Sequence, residues 1–333
     1  MNGLMKKTIL PLLAVITAML LSCTNNRVDI ILDSNANAGP DDQFAIAYML
    51  TLRDEVNLLA ITTNATVDGG NAEEQATEAR RIVRLMGSLG EGIPVIAGAS
   101  ANYEDIVPHI NESSYDGCEV VQYIIDSARR HTPSHKLLLM PIGKITNIAL
   151  ALTKAPDIAP NVRVAWLGSN YPNPGGYNLV NDIPAVNAII ESGVDFTIAI
   201  EGSSEGMRGT YEVGLKRYEV AERVAGKGLR VEPVEGRNGG TFTCVGDYLL
   251  DLYDKLSDKH DNFYRSLYDV ACIATTLHPE WAESCEIPAP IIEGNKWKQR
   301  PSNTHTIRLL YNFDDASIIG DFVKHLYTIT PER

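Results

Sequence analysis

Residues 30–50 read IILDSNANAGPDDQFAIAYML. An apolar run enters this stretch and a second apolar run, with Phe44, Ala45, Tyr48 and Met49 at helical spacing, leaves it. Between them lie Asp33, Asn35, Asn37, Asp41 and Asp42. The first run predicts a buried strand over 28–35 and the second a helix over 41–52. A strand-to-helix junction is where α/β proteins place their chemistry. Three carboxylates in one such loop are more like charge than a turn needs. Asp41 or Asp42 can serve as the helix N-cap, and singly each reads first as a cap.

The same alternation continues. VNLLAITTNA (56–65), IPVIAGAS (93–100), KLLLMPIG (136–143), VRVAWLGS (162–169) and DFTIAIEG (195–202) read as strands. Helices are expected between them over 71–88, 118–131, 145–156 and 183–193. Such alternation predicts an α/β fold with a doubly wound, mostly parallel sheet and helices on both faces. The later part reads as mainly helical, with a terminal strand pair in EIPAPIIEG and THTIRLLYNF and a last helix in DASIIGDFVKHLYTI. No internal repeat or linker divides the chain, so residues 28–333 are expected to form one domain.

In a parallel sheet the loops that follow the strands share one edge, and ligands bind there. After the second strand come Thr63 and Asn64. After the fourth comes PIGKITN, a Gly turn able to point a backbone carbonyl inward. After the fifth come Asn170, Asn173, Asn178 and Asp182, and Asp269 opens a helix in LYDVACIA. These are nearly all oxygen donors. Gathered carboxylates repel unless protonated or held by a cation. A hard cation such as calcium takes six to eight oxygens, so the set favours a calcium-type cage over zinc. The asparagines, Asn64, Asn170 and Asn178 among them, suit the hydroxyls of a sugar or polyol. No HExxH, CxxC, GxSxG or P-loop is present.

The net charge of −13 argues against nucleic acid as the main partner. Hydrophobic residues make up 44% of the 333 and charged ones 21%, a globular composition. The start is separate. MNGLMKKTILPLLAVITAMLLSC has Lys6 and Lys7, then an apolar run, then Ser22-Cys23. This is the layout of a secretory signal; as a membrane span the run is too short. Its end resembles a bacterial lipobox with Cys23 as the lipidated residue. Residues 1–22 are therefore expected to be a lipoprotein signal peptide and 23–27 a tether, which implies an exported lipoprotein of the cell envelope, on the outer membrane if the host has one. Cys118, Cys244, Cys272 and Cys285 match no zinc spacing and define no disulfide framework.

Five ordered stretches resemble the inosine-uridine preferring nucleoside hydrolase family: IILDSNANAGPDDQFAIAY, AITTNAT, LLLMPIGKITNIALAL, GGYNLVNDIPAVNAIIESG and LYDVACIA. The first is nearest to a bacterial subgroup with a longer loop. The resemblance implies calcium, and hydrolysis of the N-glycosidic bond of ribonucleosides to base and ribose. It implies Asn35, Asp42, the carbonyl of Ile142 and Asp269 as metal ligands. Asp41 and Asn178 would hold ribose hydroxyls, with Asn64 supporting the site. Dimers and tetramers are the family's usual assemblies.

The chain also departs from that pattern. The family's metal-binding base is Asp, and here it is Asn35, which can ligate calcium but cannot accept a proton. The base must then come from elsewhere, with Asp33 and Asp41 as candidates. Tyr268 stands where the leaving-group His would be; a phenol is a weaker acid. Gly176 replaces a Glu expected at the sugar's 5′ hydroxyl, and Gly39 a Glu of the longer loop. Two readings follow: a calcium-dependent nucleoside hydrolase, or a catalytically impaired, lipid-anchored protein that binds nucleoside or sugar on the same fold.

Overall fold

The computed structural model describes residues 27–332. The signal-peptide reading, the lipidation of Cys23 and the tether up to residue 26 lie outside the described residues. Among the described residues no helix is long and apolar enough to cross a membrane.

The apolar runs became strands because both of their faces are covered. β1 (Val28–Ser34), β2 (Val56–Thr63), β3 (Val95–Ala97), β4 (Leu137–Pro141), β5 (Val162–Leu167) and β6 (Asp195–Ala199) pair in parallel. Short strands β7 (Gly214–Lys216), β8 (Val234–Glu235), β9 (Thr241–Phe242) and β10 (Tyr264–Ser266) follow, then β11 (Glu283–Pro288), β12 (Ile291–Glu293), β13 (Lys296–Lys298) and β14 (Thr306–Tyr311). The central sheet has eight strands in the order β11-β14-β6-β5-β4-β1-β2-β3. The expected terminal pair extends this sheet: β14 lies parallel to β6, and β11 closes the edge antiparallel to β14. The later region also holds the small hairpin-like pairs β7/β10, β8/β9 and β12/β13, which its polar connections had hidden.

The helices are α1 (Pro40–Thr51), α2 (Ala72–Leu85), α3 (Tyr103–Ile106), α4 (Cys118–Ala128), α5 (Thr146–Lys154), α6 (Tyr177–Asn181), α7 (Ile183–Glu191), α8 (Arg217–Arg223), α9 (Val245–Ser257), α10 (Tyr268–Leu277) and α11 (Asp315–Thr328). Helices α1, α2, α9, α10 and α11 pack together on one face, and α4, α5 and α7 on the other. This is the doubly wound arrangement expected. β1 and β4 are neighbours although two strands separate them in sequence, so the winding reverses direction between them. That is the topological switch point, where ligands enter such sheets.

Helices α1 and α10 are unusual. Pro40 to Leu50 are all buried, as are Asp269 to Thr275. A helix apolar on all sides belongs in an interior. Packed against each other, these two deliver their N-terminal turns, with Asp41, Asp42 and Asp269, to the switch point. Neither Asp41 nor Asp42 caps α1. Gly39 is the N-cap and Pro40, whose missing N–H costs nothing at a helix start, follows it. Phe322 of α11 locks α1 from outside, with its ring centroid 5.5 Å from Phe44 and 5.9 Å from Tyr48. Replacing this fully buried ring, Phe322→Ala, is expected to cost about 3–5 kcal/mol in denaturant unfolding. A loss under about 1 kcal/mol would mean that α11 does not brace α1.

Candidate functional site

A cavity of about 320 Å³ opens at the switch point. Its wall takes residues from eight places in the chain, Asp68 after β2 and Leu167 at the end of β5 among them. Asn35, Ala38 and Gly39 come from the loop after β1, and Asp41 and Asp42 from the first turn of α1. Ile142 follows β4, and Tyr177 and Asn178 begin α6. Glu201 follows β6. Arg265, Tyr268 and Asp269 come from β10 and the start of α10.

The floor is held rigid. Asp33 is fully buried and does not line the cavity. Its Oδ1 accepts from Thr62 Oγ1 at 2.6 Å and Asn147 Nδ2 at 2.8 Å, and its Oδ2 from Asn64 Nδ2 at 3.0 Å. Burial pushes this carboxyl up to about 6, against the pull of those three bonds. Asp33 thus ties the ends of β1 and β2 to α5. The expectation of Asp33 as a base facing the site gives way to a supporting role, because its oxygens are turned to these donors. Asn64 stands in the same layer: it is buried beside Asp33 and outside the cavity wall, and its Oδ1 has no partner among the described residues. Trp166 Nε1 donates to the Gly143 carbonyl at 2.9 Å, and Ile142 N donates to Asp33 O at 2.8 Å. These two bonds fix the turn after β4.

The oxygens gather above this floor. Asp41, Asp42 and Asp269 present carboxylate oxygens within 4.8 Å of one another. Asp42 Oδ1 accepts from Ser34 Oγ at 2.7 Å and Asn35 N at 3.1 Å. Among the described residues Asn35 Oδ1 and both oxygens of Asp269 are buried with no hydrogen-bond partner. A buried carboxylate without a donor is costly unless protonated or paired with a cation. Burial, and then the nearby Asp41, push Asp42 up to about 8. Burial, and then Asp42 and Asp41, raise Asp269 well above the carboxylate range. Asn178 Nδ2 donates to the carbonyls of Ile142 and Leu167, both at 3.0 Å, which turns its amide oxygen away from them. Asn35, Asp42, Ile142 and Asp269 are therefore brought together. All four offer oxygen, and the donor set fits a hard divalent cation.

Some sequence candidates stand elsewhere. Asn170 is not part of the cavity wall. Ser169 takes φ 75°, the chain turns, and Asn170 packs against Gly175 and Gly202. Asp182 caps α7 and also accepts from Thr146 and Tyr103, and Thr63 Oγ1 bonds the Ala72 carbonyl. Asn37 clamps its loop, with its amide on Gly69 O and its oxygen taking Arg237. Tyr268 does line the cavity, and burial raises its phenol, keeping it a neutral donor.

Several wall residues escaped the sequence reading, three of them charged: Asp68, which accepts from Tyr177 OH, Glu201 and Arg265. Arg265 sits 2.9 Å from Asp41 Oδ1 and is held charged by it. It lies four residues before Asp269 in a segment that reads as a polar connection. Glu201 accepts from Tyr177 N at 3.0 Å and Asn178 N at 3.4 Å, and burial pushes it up to about 7. Its position just past β6, at the edge shared by the other loops, was the available signal. Gly176, at φ 112°, could carry no side chain in any case: a Cβ there would lie 2.7 Å from Ser169 Cα.

The model of the family "Inosine-uridine preferring nucleoside hydrolase" matches residues 30–317. A protein from Leishmania major, named inosine-uridine preferring nucleoside hydrolase, is 28% identical over 285 residues, covering 79% of this chain and 82% of that protein. In structure, the purine-preferring ribonucleoside hydrolase from Gardnerella vaginalis superposes with a TM-score of 0.64 at 19% identity, covering 90% of this chain and 98% of that one. An inosine-uridine preferring nucleoside hydrolase from Bacillus anthracis gives 0.64 at 17% identity, covering 91% and 100%. At those identities the two structures establish likeness of fold.

Because burial and the nearby Asp41 push Asp42 up to about 8, and a carboxyl must be ionised to ligate a cation, binding of a divalent cation at pH 7 is expected to release a proton. The share from Asp42 should fade as pH rises past about 8, where Asp42 is ionised, while Asp269, also raised by burial and its neighbours, adds a share of its own. Calorimetry in two buffers of different ionisation heat reads this directly; a buffer-independent heat at pH 7 would contradict it. Gly143→Ala should weaken the same binding, since a Cβ at 143 runs into Asn35 Oδ1.

Proposed function

The chain belongs to the inosine-uridine preferring nucleoside hydrolase family, and from that premise we propose that it hydrolyses the N-glycosidic bond of ribonucleosides with calcium as its cofactor. The observation that carries the proposal is the group of buried, partnerless oxygens of Asn35 and Asp269 beside Asp42 at the switch point. Asn35 Oδ1, Asp42, the Ile142 carbonyl and Asp269 would hold the ion. When bound, calcium supplies there a Lewis acid that lowers the pKa of water.

The chain's own residues supply the rest. Asn178, anchored by its amide N–H groups, presents its oxygen to a ribose hydroxyl. Asp41 Oδ1 is taken by Arg265, and the carboxylate keeps Oδ2 for the sugar and for the proton of the attacking water. Asn35 cannot take that proton; Glu201 and Asp68 take donors from α6, and Asp41, beside Asp42 and Asp269, is the acceptor next to the cation's ligands. One oxygen of that carboxylate is already committed to Arg265, and slow turnover is expected. Tyr268 donates to the departing base. Attack at the anomeric carbon of an oxocarbenium-like sugar completes the exchange. The proposal extends to an exported protein held at the cell envelope through Cys23.

Asn35 favours a second reading, in which the protein binds calcium and nucleoside and hardly turns over. One variant separates the two. Under the enzyme reading, chelator-treated protein releases reducing sugar from inosine or uridine only after calcium is restored. Asn35→Asp is then expected to raise kcat by about two orders of magnitude, the range of a restored base. Sugar release by Asn35→Asp alone, with none by the natural chain, establishes the binding-protein reading. A lower rate in Asn35→Asp would mean that the amide belongs to an altered mechanism.

A further inference from the structure

Asp41, Asp42 and Asp269 are the same residue type, and their oxygens lie within 4.8 Å of one another. As ligands for a hard cation they are chemically equivalent, and residue type alone gives no reason for any of the three to be left out. Arg265 makes the difference. It leaves β10, outside the main sheet, and its Nη2 stands 2.9 Å from Asp41 Oδ1. Asp42 instead takes neutral donors, Ser34 Oγ and Asn35 N, and Asp269 takes none among the described residues. A charge-assisted bond to guanidinium competes directly with metal ligation for the same oxygen.

Two further features show that the pair is built into the fold. A Cβ at Gly39 would lie 2.8 Å from Arg265 Nη2 and would also strike Asp41 Oδ1, so the loop leaves room for this contact. The arginine is also anchored from behind, where its carbonyl accepts from Tyr253 OH at 3.2 Å, while its Cζ lies 5.9 Å from the Tyr268 ring centroid. Its Nε is buried and has no partner among the described residues, so the head is held by Asp41 and by packing.

We infer that Arg265 is a positioning residue that divides the carboxylates: it holds Asp41 out of the cation's shell and reserves it for the sugar. The sugar half rests on the nucleoside hydrolase reading, and the cation half does not. The division also balances charge. Asp42 and Asp269 carry two negative charges against a divalent ion, and Arg265 neutralises Asp41.

The test is a double-mutant cycle on the full chain with Arg265→Gln, Asp41→Asn and the pair, read by calorimetric calcium affinity and by KM and kcat on inosine. Arg265→Gln frees Asp41 to join the cation, so calcium should bind about tenfold tighter, while KM rises about tenfold and kcat changes less. In the Asp41→Asn background the same change should move either quantity by no more than about twofold. Arg265→Lys keeps the charge and loses the fork, and should shift both quantities in the direction of Arg265→Gln by a smaller amount. It also serves if Arg265→Gln fails to fold. Equal tightening with and without Asp41 would overturn the inference, since Arg265 would then act only as a remote charge. Unchanged calcium affinity in both Arg265 variants would overturn it too. If the natural chain releases no sugar, the hydrolase reading fails, and the calcium arm of the cycle still decides the role of Arg265.

Discussion

Three aspartate carboxylates meet in one buried spot, and their mutual repulsion is the constraint around which the rest of the molecule is arranged. Burial alone penalises each ionised group, and proximity adds to the penalty. The pressure appears in the raised Asp42 and Asp269 and in oxygens left without a donor. A fold does not keep such an arrangement for stability, because a carboxylate replaced there by an apolar residue would relieve strain. It is kept for what the oxygens can hold. A divalent ion removes the repulsion and the desolvation cost together, which is why the same residues would be a liability without it and a site with it.

The surrounding structure serves that arrangement. Two helices buried along nearly their whole length, α1 and α10, bring their first turns together, and their N-terminal dipoles favour negative charge there. The Asp33 web beneath, with Thr62, Asn64 and Asn147, fixes the strand ends that carry the loops. Trp166 fixes the turn that carries Ile142. Apart from Asn64 Oδ1, these interior groups are satisfied by interior partners, so the floor can stay rigid while the wall above it keeps open valences. The division between a satisfied layer and an unsatisfied one separates support from function more sharply than residue type does. Asp33 and Asp42 are both buried aspartates nine positions apart, and only their partners tell them apart.

Much of this was legible in the chain. The alternation of apolar runs and helical spacing located β1 to β6 and the helices between them, because a parallel sheet covered on both faces demands such runs. The loop rule then collected Asn35, Asp41, Asp42, Asn178 and Asp269, and the family resemblance added Ile142; all of these line the cavity. It also collected Asp33, Asn37, Thr63, Asn64, Asn170, Asn173 and Asp182, which do not. A loop residue at the right edge can still turn away, and a positive φ at Ser169 is invisible in a composition. Arg265 and Glu201 were missed for a different reason. Arg265 sits in no run or motif and Glu201 only at the tail of a strand run; each is a single charge whose meaning depends on a partner more than twenty residues away, Asp41 for one and the Tyr177 amide for the other. The insertion of β14 between β6 and β11 was equally hidden, since a strand pair read from sequence does not state which sheet it joins.

The most direct measurement is a crystal of the protein soaked in calcium after chelator treatment, with difference density calculated at the switch point. One ion is expected, ligated by Asn35 Oδ1, Asp42, the Ile142 carbonyl and Asp269, with Asp41 still on Arg265. A cavity without an ion at saturating calcium would contradict the account, and the three aspartates would then have to be explained as protonated groups of the core.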